Sequence, residues 1–155
     1  MGRGGRDQEV ERRNVKRYVI DASVAVKWYS AFGEDDLKQS DKLLQDYVEG
    51  SCDFMAPTLI VYELANALRF NPNLEAADVT RAIKDFFDLQ ITLEEPSKYM
   101  NPAIDLAFAH SLTVYDAVYA ALSQVSGIPL ITADYQFYNK AKDLPFIEAL
   151  KHLKL

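Results

Sequence analysis

Residues 18–23 read Tyr18-Val19-Ile20-Asp21-Ala22-Ser23, or YVIDAS. Tyr-Val-Ile is β-favouring and too short for a helix, so KRYVID (16–21) reads as a short buried strand. That strand ends on a carboxylate, with a hydroxyl two residues later. The theme recurs near the other end of the chain, where PLIT (129–132) is followed by Ala133 and Asp134, so that Thr132 and Asp134 again pair a hydroxyl with an acid after a strand. Two readings compete for Asp21. It caps the helical turn that follows, or it forms one wall of a metal site, and the other acids decide between them.

Outward from this stretch, the chain alternates between short apolar runs and longer segments of helical period. AVKWYSAF (25–32) is a helical turn, and 34–50 carries apolar residues at 37, 43, 44, 47 and 48, with Gly50 as its stop. CDFMAP (52–57) is a second strand, and TLIVYELANALRF (58–70) and LEAADVTRAIKDFFDL (74–89) are helices. LQITLEE is a strand stopped by Pro96. SKYMNPAIDLAFAHSL and TVYDAVYAALSQVSG are helices, the second opened by Thr113 and closed by Gly127. GIPLITAD, DYQFYNKAKDL and PFIEAL complete the order as strand, helix and strand. The order β-α-α-β-α-α-β-α-α-β-α-β predicts an α/β fold: one central, mostly parallel sheet flanked by helices on both faces. In such a sheet ligands sit outside the carboxyl ends of the strands, so Asp21 and Asp134 are expected at one edge.

A chain of 155 residues suits a single domain that buries roughly 70% of its unfolded surface. The apolar fraction of 49% indicates a soluble globular protein. The single cysteine, Cys52, allows no intramolecular disulfide, and with His110 and His152 isolated no Cys/His cluster could hold zinc. A reducing, cytoplasmic setting follows as an expectation. No apolar run reaches the roughly 20 residues of a membrane span, and the basic N-terminus lacks the apolar core of a signal peptide. Residues 1–16 read as a basic, flexible extension and 17–155 as the domain. The net charge of −6 hides an asymmetry: residues 1–17 carry six Lys/Arg and three Asp/Glu, and the remainder is strongly acidic. An acidic body argues against nucleic acid unless its acids gather around bound cations or basic groups are supplied locally.

Four acids bear on the choice. Glu63 lies in a helix that is apolar on nearly every face, which predicts burial all round. A buried glutamate costs several kcal/mol unless paired or bound to a metal. Asn66, three residues on, shares its face. Asp116 stands at the third position after Thr113, a capping-box spacing that also suits the helix dipole. Asp134 can cap DYQFYNKAK, as Asp21 can cap its own turn. Glu34, Asp35 and Asp36 read as solvated loop charge. No single acid decides the matter. Together they place four carboxylates on four elements, supported by Ser23, Thr132 and Asn66, an oxygen donor set of the kind that Mg2+ or Mn2+ prefers.

VIDASVAVKW, YELANAL, TVYDAVYAALS and LITADYQF, in that order, resemble the successive motifs of PIN-domain ribonucleases, most closely the VapC toxins of VapBC toxin–antitoxin pairs. The resemblance spans about residues 17–150. It implies a single PIN-like domain and a metal-dependent endoribonuclease whose cofactor is Mg2+ or Mn2+ and whose products carry 5′-phosphate and 3′-hydroxyl ends. It assigns Asp21 and Asp116 as direct metal ligands. Glu63 and Asp134 complete the catalytic set through water or a second ion. Ser23 and Thr132 orient the first and last aspartates, and Asn66 lines the pocket. It further implies an RNA substrate, a VapB-type antitoxin and a homodimer, with helices 35–48 and 58–70 offering apolar surface for the interface. Lys27, Arg69 and Lys84 are candidates for contacts to the RNA backbone. A PIN nuclease of RNA maturation, or a silent PIN-like binding module, remains the alternative. Receiver and haloacid-dehalogenase-type phosphatase readings are disfavoured, because the latter needs an acid where Ser23 stands and LITAD lacks the receiver lysine.

Overall fold

The computed structural model describes residues 15–154. The extension expected at 1–16 lies outside the described residues except for its last two, and Lys16 already opens the first strand.

Five strands form one sheet: β1 (Lys16–Ile20), β2 (Cys52–Pro57), β3 (Thr92–Glu94), β4 (Leu130–Thr132) and β5 (Ile147–Ala149). All four pairings are parallel, and the strand order is β3-β2-β1-β4-β5. The helices are α1 (Ala22–Ala25), α2 (Leu37–Val48), α3 (Leu59–Arg69), α4 (Ala76–Asp88), α5 (Met100–His110), α6 (Val114–Ser126) and α7 (Tyr135–Lys140), with short 3-10 turns between some of them. From β1 the chain steps outward to β2 and β3, then returns across β1 to β4 and β5. With the right-handed crossovers that parallel sheets almost always use, this order corresponds to α1–α4 on one face and α5–α7 on the other. The direction of winding reverses between β1 and β4, the position at which such sheets bind ligands beyond the carboxyl ends of their strands.

The strands at the centre are buried on both sides, as parallel strands must be. Val19, Ile20, Leu130 and Ile131 have no exposed surface, and Phe54, Met55 and Ala56 of β2 are buried beside them. The most deeply buried helix is α6, in which every residue from Ala117 to Ser123 is buried. Small residues there let the helix approach the sheet closely. Thr113 accepts the Asp116 N–H at its start, and Gly127 closes it with a positive φ, as the sequence predicts.

Two expectations are corrected. The helix α3 is not buried all round. It turns a single stripe, Ile60, Leu64 and Leu68, to the core, and leaves Tyr62 and Phe70 largely exposed. It lies on the outer layer of a two-sided sheet, where one face of a helix suffices for packing. The acidic run at 34–36 is not simply solvated. Lys27 is buried and its ammonium donates to Glu34 Oε2 at 2.6 Å and to the Asp35 carbonyl at 2.7 Å, while Asp36 accepts from the Tyr135 hydroxyl at 2.6 Å.

Candidate active site

Strand register builds the site. Ile20 pairs with Ile131, and the Asp21 N–H continues the ladder to the Ile131 carbonyl at 3.1 Å, which brings Asp21 alongside Thr132. Asp21 is the residue before α1, but its carboxylate makes no capping bond. Its carbonyl accepts the Val24 N–H instead, which leaves the carboxylate free for the sheet edge. Both neighbouring hydroxyls donate to one oxygen, Oδ2: Ser23 Oγ at 2.8 Å and Thr132 Oγ1 at 2.8 Å. Each hydroxyl in turn accepts a backbone N–H from just beyond β4, Ser23 from Ala133 at 2.9 Å and Thr132 from Asp134 at 3.0 Å. Those N–H bonds occupy acceptor positions on the hydroxyls and aim their protons at Asp21. Oδ1 lies outside this set of bonds.

The other acids arrive from different elements. Glu63 stands half-buried on α3 and accepts the phenol proton of Tyr119 at 2.6 Å. Asp116 sits in the first turn of α6. Asp134 precedes α7 and caps it, accepting the Phe137 N–H at 3.1 Å, so its expected capping role is observed.

Electrostatics ties these acids together. Burial, helped by the charges of Glu63 and Asp116, pushes the Asp21 carboxyl up to about 7 against the two hydroxyl bonds that oppose the shift. Glu63 is raised chiefly by burial, with the Tyr119 bond opposing and Asp116 and Asp134 adding. Asp116 is raised by burial and then by Asp134, while the Thr113 bond and the charge of Lys140 pull it down. The charges therefore run as a chain, with Glu63 and Asp116 acting on Asp21 and Asp134 acting on Glu63 and Asp116. Yet among the described residues no group of three or more His, Cys, Asp or Glu side chains is gathered closely enough to hold a metal ion. The donor chemistry, hard oxygens with a surplus of negative charge, fits Mg2+ or Mn2+. Such ions are commonly held by one or two carboxylates and keep several waters, so a closed cage is not required.

Asn66 is exposed on α3 and makes none of these hydrogen bonds. The cations considered for RNA contact stand elsewhere: Lys27 is buried against Glu34, Arg69 lies over the Phe70 ring, and Lys84 is 3.8 Å from Asp88 on the exposed side of α4. Lys140, at the end of α7, is the cation whose charge reaches Asp116. Tyr119 escaped the sequence reading. Its signal was the spacing, since it lies three residues after Asp116 on the same helical face, the one large polar side chain in a run of small ones.

Comparison with known proteins bears on the family and the fold. "Exonuclease VapC9" of Pyrobaculum aerophilum is 32% identical over 95 residues, covering 59% of this chain and 70% of that protein. "Ribonuclease VapC3" of the same organism is 28% identical over 130 residues, covering 80% and 94%. A toxin–antitoxin complex from Klebsiella pneumoniae contains a chain with a TM-score of 0.62 at 12% identity, covering 86% of this chain and 97% of that one, which is a likeness of fold. The family model of the PIN domain matches residues 18–143, a span that runs from the start of YVIDAS past all four acids. With a parallel sheet of this order and acids placed at its switch point, the chain belongs to the PIN-domain family.

Proposed function

We propose that this protein is a Mg2+- or Mn2+-dependent endoribonuclease and the toxin of a type II toxin–antitoxin pair. The observation that carries the reading is Asp21: a buried carboxylate at the switch point, clamped on one oxygen by two hydroxyls and repelled by two other acids, Glu63 and Asp116. The relative named as a ribonuclease supports RNA as substrate, and the toxin–antitoxin neighbour supports a VapB-type antitoxin as partner. A homodimer and a cytoplasmic location belong to the same proposal; among the described residues no helix is long and apolar enough to cross a membrane.

Asp21 and Asp116 would hold the cation directly, with Glu63 and Asp134 engaging it through water or a second ion. When bound, the cation supplies charge neutralisation at the phosphodiester and activation of water. The chain's own residues do the rest. Ser23 and Thr132 keep Asp21 turned to one rotamer through Oδ2. The cap bond from Phe137 holds Asp134 beside β4. Lys140 places positive charge near Asp116, where a polyanionic substrate must approach an otherwise acidic mouth. No histidine or lysine base is placed in this cluster, and the water-activating role falls to the acids with their cation.

The name of the first relative raises end-directed cleavage as a second reading. One experiment addresses both. Linear and circular single-stranded RNAs are incubated with the protein and Mg2+ or Mn2+, alongside Asp21→Asn and Asp116→Asn. The expected result is cation-dependent cutting of both forms to 5′-phosphate ends, lost in each variant. Cutting of linear RNA alone would favour an exonuclease. Undiminished cutting by the variants would sink the nuclease reading.

A further inference from the structure

We propose that Tyr119 is a positioning residue, whose phenol sets the orientation in which Glu63 meets a divalent cation. The proposal rests on the metal-dependent reading above and adds to it a residue outside the four acids and their hydroxyls.

Tyr119 is 1% exposed and lies one turn beyond Asp116 on α6. Its hydroxyl donates to Glu63 Oε1 at 2.6 Å. One phenol thus joins two helices that carry site acids, α3 with Glu63 and α6 with Asp116. A buried tyrosine needs a partner for its hydroxyl, and a backbone carbonyl is enough. Tyr47 uses the Leu89 carbonyl and Tyr99 the Glu94 carbonyl in this way. Tyr119 spends its proton on a site carboxylate instead.

The geometry of that bond matters for a cation. Glu63 stands on a helix with only one core-facing stripe, so packing alone leaves its side chain free to change rotamer. The Tyr119 bond engages Oε1, and no described residue donates to Oε2. Asp21 shows the same division, with Oδ2 held by two hydroxyls and Oδ1 left over. On both acids one oxygen anchors to the protein and the other is spared. Partners that hold a ligand in this way are typically worth about 10–100-fold in metal affinity.

The test is a calorimetric titration of Mn2+ into the full-length protein without RNA, comparing wild type, Tyr119→Phe, Glu63→Gln and the double variant. Tyr119→Phe keeps the ring and removes only the oxygen; melting in chelator reports whether the fold persists. Mn2+ affinity is expected to fall about tenfold in Tyr119→Phe. In the Glu63→Gln background the same change should alter affinity less than twofold, because the phenol then has no carboxylate to position. Glu63→Asp, which draws the carboxylate back by one methylene with Tyr119 intact, should weaken Mn2+ as Tyr119→Phe does. Wild-type affinity in Tyr119→Phe, or an equal loss in the Glu63→Gln background, would overturn the proposal and leave the nuclease reading standing. An absence of Mn2+ binding by the wild type would overturn both.

Discussion

Thr132 shows how much one hydroxyl does at the end of a strand. It has no exposed surface, donates to Asp21 Oδ2 and accepts the Asp134 N–H. Thr132→Val preserves the shape but takes from the buried Asp21 carboxylate one of its two donors, a loss of about 1–3 kcal/mol. Ser23 makes the matching pair of bonds, to Asp21 and from Ala133, but is only half-buried. Water can replace its hydroxyl, so Ser23→Ala should cost well under half as much. Urea unfolding of the two variants checks the contrast, and equal costs would mean that burial does not govern the pair. Cleavage should fall about tenfold in both, since each removes a support of the same carboxylate. Sequence spacing made Ser23 and Thr132 legible as partners of acids. It could not show that both converge on Asp21, because that depends on β4 lying beside β1, more than a hundred residues away in the chain.

At the scale of elements, the order of strands and helices was legible because short β-branched runs and longer helical periods alternate cleanly, with Gly50 and Gly127 marking stops. The exposure of α3 was not, since an all-apolar segment fits a buried helix as well as one whose second face is left uncovered. The acidic loop misled for a related reason. Its charges read as solvated, yet Lys27 holds Glu34 and Asp35, and Trp28 Nε1 donates to the Ser40 carbonyl at 3.0 Å, which together fasten the 3-10 turn at Val26–Trp28 to α2. The Lys27 side chain is 5% exposed and that of Glu34 24%. Removing only the acid leaves a buried ammonium short of its counter-charge, which for fully buried pairs costs about 3–5 kcal/mol and here, with Glu34 partly wet, on the order of 2 kcal/mol. Glu34→Gln should therefore be less stable in urea than Lys27→Met/Glu34→Gln, in which the charge is gone as well. If Glu34→Gln unfolds within about 0.5 kcal/mol of wild type, the contact behaves as an ordinary surface pair.

For the molecule as a whole, parallel topology forces strand ends onto one edge, and this made the site legible: Asp21 and Asp134 had to face the same side once the sheet was parallel. The burial of these acids at that edge was not legible, and together with their repulsion it gives the site a consequence for stability. The carboxyls of Asp21, Glu63 and Asp116 are all raised in the fold, Asp21 to about 7 from an ordinary value of 3.8. Between pH 4 and 7 the folded state therefore holds more protons than the unfolded state. Stability in chelator should fall as pH rises through that window and level off above it, by up to about 4 kcal/mol from Asp21 alone. A bound cation acts in the opposite sense, since it needs the acids ionised and offsets their repulsion. At one hundred times its dissociation constant Mn2+ should return about 2.7 kcal/mol at pH 8, an increase of roughly 5–10 °C in melting temperature for a chain of this size. At pH 5 protons compete and the gain should shrink. Asp21→Asn removes the most strongly shifted group, so it should both flatten the pH response in chelator and weaken the response to Mn2+. Melting curves at pH 5, 6, 7 and 8, with EDTA and with Mn2+, measure all of these effects together. A chelated protein that grows more stable from pH 5 to 8 would show that the fold does not raise the carboxyls of Asp21, Glu63 and Asp116, and the buried acidic cation site built on them would fall with it.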